Sequence, residues 1–135
     1  MSEPFFLVIY VGRDNASSVK HALGGLARQT YKRWDAIYVD DASKDETVKE
    51  VKRVTSLLGI DEKVFLAPSD EQKPAGAHLW HFMEPFGERV GTPKDDEVTH
   101  LIIAPPRFRF ADDRALERIA KAHQEGWALV WGRWR

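Results

Sequence analysis

The sequence predicts an α/β domain with a mostly parallel, five-stranded sheet and helices on both faces. Three observations predict it. Five short, β-rich apolar runs recur along the chain, separated by four stretches with helical spacing of apolar residues. Its 135 residues suit one compact domain. Strictly alternating strands and helices make a βαβ series, and right-handed crossovers lay such a series out as a parallel sheet.

Phe5–Val11 (FFLVIYV) is a continuous apolar run, the pattern of a strand covered on both faces. Residues 12–15 punctuate it, and Asn15 is the expected cap of a first helix with Val19, Ala22, Leu23, Leu26 and Ala27 inward. The Gly24-Gly25 pair weakens that helix by about 1–2 kcal/mol relative to alanines, so close packing is the expected reason for it. Trp34–Val39 is the second strand, ending at Asp40-Asp41. Ser43 and Glu46 read as a capping box for a second helix, with Val48, Val51, Val54, Leu57 and Leu58 as its buried stripe and Gly59 as its stop. A short strand follows at Lys63–Leu66, then a polar loop from Ala67 to Pro74. Ala75–Glu88 reads as a third helix, kinked or shortened by Pro85. A loop leads to a fourth strand, Thr99–Ala104, halted by Pro105-Pro106. Asp112 or Asp113 caps a fourth helix with Leu116, Ile119 and Ala120 inward, and Trp127–Trp131 forms the fifth strand. In such sheets ligands sit beyond the C-terminal strand ends. Residues 11–15, 40–45, 67–70 and 104–109 are therefore the places to inspect.

Composition narrows the chemistry. Hydrophobic residues at 43% and charged ones at 30% describe an ordinary folded protein. The lack of cysteine excludes disulfides, thiolate metal sites and a cysteine nucleophile. A net charge of -1 argues against broad binding of nucleic acid or an anionic membrane surface. No apolar run reaches the roughly 20 residues of a membrane span, and the N-terminus lacks signal-peptide features, so a cytoplasmic location is expected. Charge is uneven: from Ala104 onward seven Arg/Lys face four Asp/Glu. That excess serves either phosphates or plain solvation.

Gln29-Thr30-Tyr31, followed by Trp34–Val39 and then Val39-Asp40-Asp41-Ala42-Ser43-Lys44-Asp45, resembles family 2 glycosyltransferases of the Rossmann-like GT-A fold. Their pattern there is QTY, a strand, then VDD-x-S-x-D. Val8–Asn15 takes the place of the family's first strand and its P-(T/S)-Y-N turn. Ala115–Ile119 and Trp127–Gly132 are similar to the helix and strand that follow the family's metal motif. The resemblance implies a nucleotide-sugar-binding domain spanning 1–135, with a UDP-sugar as ligand and without the family's acceptor half. It also implies Asp40 and Asp41 as nucleoside ligands, since carboxylates accept strong bonds from base N–H and ribose hydroxyls. Turn-capping is the competing reading for Asp41, and helix-end stabilisation is the favoured one for Ser43 and Asp45.

Two departures bear on catalysis. Where the family places D-x-D to hold Mg or Mn, this chain has Pro105-Pro106-Arg107-Phe108-Arg109, without a carboxylate. No metal site is therefore expected, and Mg or Mn enters only if a site is rebuilt elsewhere; Asp112-Asp113 falls at the next helix start and reads as a cap. In the first turn the family's P-(T/S)-Y-N is replaced by Val11-Gly12-Arg13-Asp14, with Asn15 as a retained amide. Gly12 admits close backbone approach and Arg13 can reach a phosphate.

His78, His81 and Glu84 share a helical face, but paired histidines at this spacing are common and no fourth ligand stands out, so a structural role is favoured. His100 and His123 read as structural. Dinucleotide, P-loop and nucleophile-elbow motifs are absent. Trp127 reads as core, whereas Trp131 and Trp134 suit a homodimer contact through the last strand. Two functions follow. One is a small UDP-sugar transferase in which Arg107 or Arg109 replaces the metal at the diphosphate. The other is a non-catalytic GT-A-like binding module, and the loss of D-x-D favours it.

Overall fold

In the computed structural model the described residues are 3–74, 77–78, 100–105 and 107–126. They form β1 (Phe6–Gly12), α1 (Ala16–Ala27), β2 (Trp34–Asp41), α2 (Thr47–Leu58), β3 (Val64–Ser69), β4 (His100–Ala104) and α3 (Ala115–Gln124), the last being the fourth predicted helix. The four strands form one sheet in the order β3-β2-β1-β4, with every pairing parallel. This is the predicted α/β architecture with a parallel sheet, and the three described helices all pack on one face of it. The predicted fifth strand, Trp127–Trp131, and most of the predicted helix Ala75–Glu88 lie outside the described residues. Among the described residues, no helix is long and apolar enough to cross a membrane.

The central strands are buried on both faces because their apolar runs are unbroken. Phe6, Val8 and Tyr10 of β1 share one face with Trp34, Ala36 and Tyr38 of β2. Onto that face pack Val19, Leu23 and Leu26 of α1, Val51 and Val54 of α2, and Leu116 and Ala120 of α3. Leu7, Ile9, Ile37 and Val39 form a second buried cluster on the other face. Each fully buried side chain of this size contributes about 1.5–3 kcal/mol, so the sheet's position is set mainly by these two strands.

Several local expectations give way to tertiary contacts. β2 runs on through Asp40 and Asp41, and β3 extends to Ser69, so the predicted loop at residues 67–69 is strand. Pro68 is tolerated there because β3 is an edge strand of the described sheet. Leu57 is 66% exposed and Leu58 is also exposed, against expectation. Thr47 and Thr55 are buried on α2 instead, and the left-handed turn at Gly59 (φ 67) brings the chain back to the core as Ile60. The close packing expected at Gly24-Gly25 is not found: a Cβ on Gly25 would meet nothing within 4 Å, and one on Gly24 only the tip of Arg28 at 3.4 Å.

No helix is capped by the side chain predicted to cap it. Asn15 donates its side-chain amide to the Tyr38 hydroxyl at 2.6 Å. Ser43 donates to Asp40, and α2 begins later, with the Thr47 amide on Asp45 Oδ1 at 2.9 Å. Asp112 accepts the Arg114 amide (2.9 Å), just before α3. The Leu116 amide in the first turn of α3 donates instead to Gln29 Oε1 (3.1 Å). Gln29 is fully buried, and its Nε2 donates to the carbonyls of Gly25 (3.1 Å) and Asp112 (2.7 Å). This amide joins the end of α1 to the start of α3. The neighbouring Thr30 amide donates to the Asp113 carbonyl (2.8 Å), and Tyr31 donates its hydroxyl to the Pro4 carbonyl while its ring meets Phe6 edge-on.

Two stability outcomes are expected. Gly25→Ala stabilises the domain by about 0.5–1 kcal/mol, because it lowers backbone entropy in a helix without a clash. Gln29→Ala destabilises it by about 2–3 kcal/mol, by orphaning buried backbone groups at both helix ends. Urea denaturation midpoints check both, and a destabilised Gly25→Ala or a neutral Gln29→Ala contradicts this account.

Candidate functional site

The C-terminal edge of the sheet collects the polar residues. Pairing of Gly12 with Asp40 sets the β1–α1 turn beside the β2–α2 turn. Asp14 has a left-handed backbone (φ 49), as does Ala42 (φ 54). Such strain in non-glycine residues needs support from neighbours. Asp14 Oδ1 accepts the amides of Lys44 (2.7 Å) and Asp45 (3.2 Å), while its own amide donates to Ser43 Oγ at 2.9 Å. In return, Asp45 Oδ2 accepts the Ala16 amide (3.3 Å), and the Asn15 amide donates to Thr47 Oγ1 (3.0 Å). The Thr47 hydroxyl donates to Asp45 and is the main reason that carboxyl lies below its ordinary range. The two turns form one rigid platform.

Asp40 and Asp41 lie on it with different partners. Asp40 accepts the amide (3.0 Å) and the hydroxyl of Ser43, closing the turn after β2. Asp41, on the face of Ile37 and Val39, is 4% exposed. Its Oδ2 accepts Arg13 Nη2 at 2.8 Å and Nε at 3.2 Å. Its Oδ1 accepts the Lys73 amide at 2.8 Å and His78 Nε2 at 2.6 Å. An ionised carboxylate only accepts, so the His78 proton sits on Nε2. Burial pushes the Asp41 carboxyl up, but His78, the Lys73 amide and Arg13 together outweigh it and bring it down to about 2.

Arg13 thus pairs with Asp41 while its side chain stays partly exposed to solvent, and Gly12 is buried inside the strand pairing. His78 is 5% exposed and serves Asp41; its predicted companions His81 and Glu84 lie outside the described residues. His100 and His123 meet edge-on with centroids 4.7 Å apart, away from the strand ends that carry Asp40 and Asp41. Sequence reasoning missed the Lys73 amide and the His78–Asp41 bond. Their only signal was that residues 67–70 end a strand at the same sheet edge.

Arg107 and Arg109 do not join this cluster. They line a cavity of about 340 Å³ with Phe108 and with Ser17, Ser18 and His21 of α1. The buried residues of α1 pack on the sheet face opposite that of Asp41. Tyr38 lies in the core on that same α1-facing side: its ring stacks on Tyr10, and burial raises its hydroxyl to about 12 despite the Asn15 bond.

The depressed Asp41 carboxyl gives a pH signature. Its ordinary value is 3.8 and its folded value about 2, so its stabilising contribution is full above about pH 4 and fades as pH falls towards 2. The stability gap between the native chain and Asp41→Asn should shrink across that window. Chemical denaturation at stepped pH measures it, and a gap independent of pH refutes the assignment.

The model of the family "Glycosyl transferase family 2" matches residues 7–84. That segment holds β1 to β3, Arg13, Asp41 and His78. No curated protein matches the chain significantly. Among solved structures, S. aureus TarS 1-349 in complex with UDP-GlcNAc is 17% identical, with a TM-score of 0.67, covering 90% of this chain and 31% of that one. The same protein in complex with UDP gives 17% identity, a TM-score of 0.66 and coverages of 90% and 32%. The mannosyltransferase PcManGT from Pyrobaculum calidifontis, in complex with GDP-Man and Mn2+, is 18% identical, with a TM-score of 0.66 and coverages of 92% and 32%. The chain spans about a third of the length of these structures. At such identities the likeness establishes the α/β GT-A fold. With the family model covering more than half of its residues, the chain belongs to glycosyltransferase family 2.

Proposed function

We propose that this chain is the nucleotide-sugar-binding part of a family 2 glycosyltransferase, with a UDP-sugar as donor, and that residues 1–135 act as one donor-binding domain. The observation that carries this reading is the placement of Asp41, with Arg13, on a rigid platform at the C-terminal end of a central parallel strand. Crevices beyond such strand ends are where open α/β sheets bind nucleotides. The complexes of TarS with UDP and UDP-GlcNAc support the choice of donor. Asp41 is the nucleoside anchor, Arg13 and the strand end at Gly12 border it, and Asp40 shapes the turn through Ser43. Arg107 or Arg109 faces the donor's diphosphate.

The family's divalent cation does not fit the residues present. Segment 105–109 offers no side-chain carboxylate where hard oxygen ligands are needed. Asp112, the next one along, has both oxygens on Arg118 (2.7 and 2.9 Å) and one also on the Arg114 amide. Metal-dependent transfer is accordingly degenerate in this domain. A second reading, a GT-A-like module that binds without transferring sugar, is favoured by the saturation of Asp41. Four protein donor groups already fill the acceptor capacity of its carboxylate, so a nucleoside must displace one of them.

Calorimetric titration with UDP, UDP-glucose and UDP-GlcNAc, with and without Mn2+, tests both points. UDP should bind equally well with and without the metal, and Asp41→Ala should weaken it at least about tenfold, the loss of one charge-assisted bond. No binding at millimolar UDP defeats the donor-binding reading, and metal-enhanced binding defeats the claim of a lost metal site.

A further inference from the structure

We propose that the crevice between α1 and the segment after β4 is a metal-independent oxyanion site, taking a phosphate or diphosphate group on Arg107 and Arg109. The clearest sign is the state of the arginines. Among the described residues, Arg13, Arg33, Arg53, Arg114 and Arg118 each have a carboxylate within 4 Å. Arg28, Arg107 and Arg109 have none, and of these Arg107 and Arg109 are both exposed and together line one cavity of about 340 Å³. Two uncompensated guanidinium groups in one concavity repel each other, and an anion between them relieves that repulsion.

The segment is built to hold them there. Along Arg107-Phe108-Arg109-Phe110 exposure alternates, with both phenylalanines half-buried against the core. The two rings meet edge-on at 5.0 Å, and the Phe108 amide donates to the Pro105 carbonyl at 2.8 Å. The apolar pair anchors the backbone, so alternation turns both arginines outward on the same side. Across the cavity α1 presents Ser17, Ser18 and His21, hydroxyl and imidazole groups able to donate to phosphate oxygens, and among the described residues no acidic side chain lines it. Guanidinium forks suit tetrahedral oxyanions through paired, charge-assisted bonds.

The site shares no residue with the Asp41 cluster, so it should fill without a nucleoside. The oxyanion could come from the donor's diphosphate, a source that rests on the donor-binding reading above, or from a separate phosphorylated group. Titration of the whole chain with pyrophosphate, in chelator and at low ionic strength, tests the site. Binding is expected, weakened at least about tenfold in the Arg107→Ala/Arg109→Ala double variant and a few-fold in Ser17→Ala/His21→Ala. These residues are exposed, and circular dichroism confirms that the variants fold. Absence of pyrophosphate binding at millimolar concentration, or an unchanged affinity in the double variant, overturns the proposal. Displacement of pyrophosphate by UDP but not by uridine assigns the site to the donor's diphosphate. Simultaneous binding of both assigns it to a separate group. Pyrophosphate binding without any UDP binding keeps this site while the donor-binding reading falls.

Discussion

The parallel register of β1 on β2 is the constraint from which the site follows. A slip of one residue would turn every inward side chain of a doubly buried strand to the other face. Here Phe6, Val8 and Tyr10 must remain with Trp34, Ala36 and Tyr38, and Leu7 and Ile9 with Ile37 and Val39. That pairing ends with Gly12 opposite Asp40. Asp40 therefore falls on the helical side and closes its own turn, while Asp41 falls on the other and meets Arg13. Two adjacent carboxylates acquire different roles from alternation alone. Hydrophobic burial, not polar attraction, decides which aspartate closes the turn and which meets Arg13.

The same logic separates what could be read from the chain from what could not. The strands, α1 and α2 were legible because apolar runs and helical spacing are local signals, and Gly59 ends α2 as a left-handed stop should. The capping residues were not. Asn15, Ser43 and Asp112 satisfy local cap rules, yet the first-turn amides of α1 and α3 are taken by Asp45 and Gln29, which are 29 and 87 residues away in sequence. A cap from another element cannot be read from local spacing. The Gln29-Thr30-Tyr31 triplet was recognisable only by resemblance, and the structure supplies its physical reason. A buried amide with three satisfied bonds, a paired backbone and an anchored ring hold the two helices and β1 together.

Electrostatics divides the candidate site into a satisfied part and an unsatisfied one. Removing one partner of a buried, hydrogen-bonded charge costs about 3–5 kcal/mol, so the Asp41 cluster strongly holds its own arrangement. It gives shape and rigidity at the strand ends, and a nucleoside gains from it only by offering a donor as good as the one displaced. Arg107 and Arg109 stand in the opposite situation. Among the described residues they make no ion pair, and on the proposed reading their placement on an anchored turn serves an oxyanion.

On the proposed reading, this contrast lets the turn after β4 meet a diphosphate without a carboxylate pair. A divalent cation on D-x-D would bring positive charge to a diphosphate, whereas guanidinium groups bring it covalently and need no oxygen ligands. Replacing carboxylates with arginine on the same turn reverses its charge and makes a cation unwelcome there. Segment 105–109 carries two arginines and no carboxylate, the composition that the proposed metal-independent reading requires.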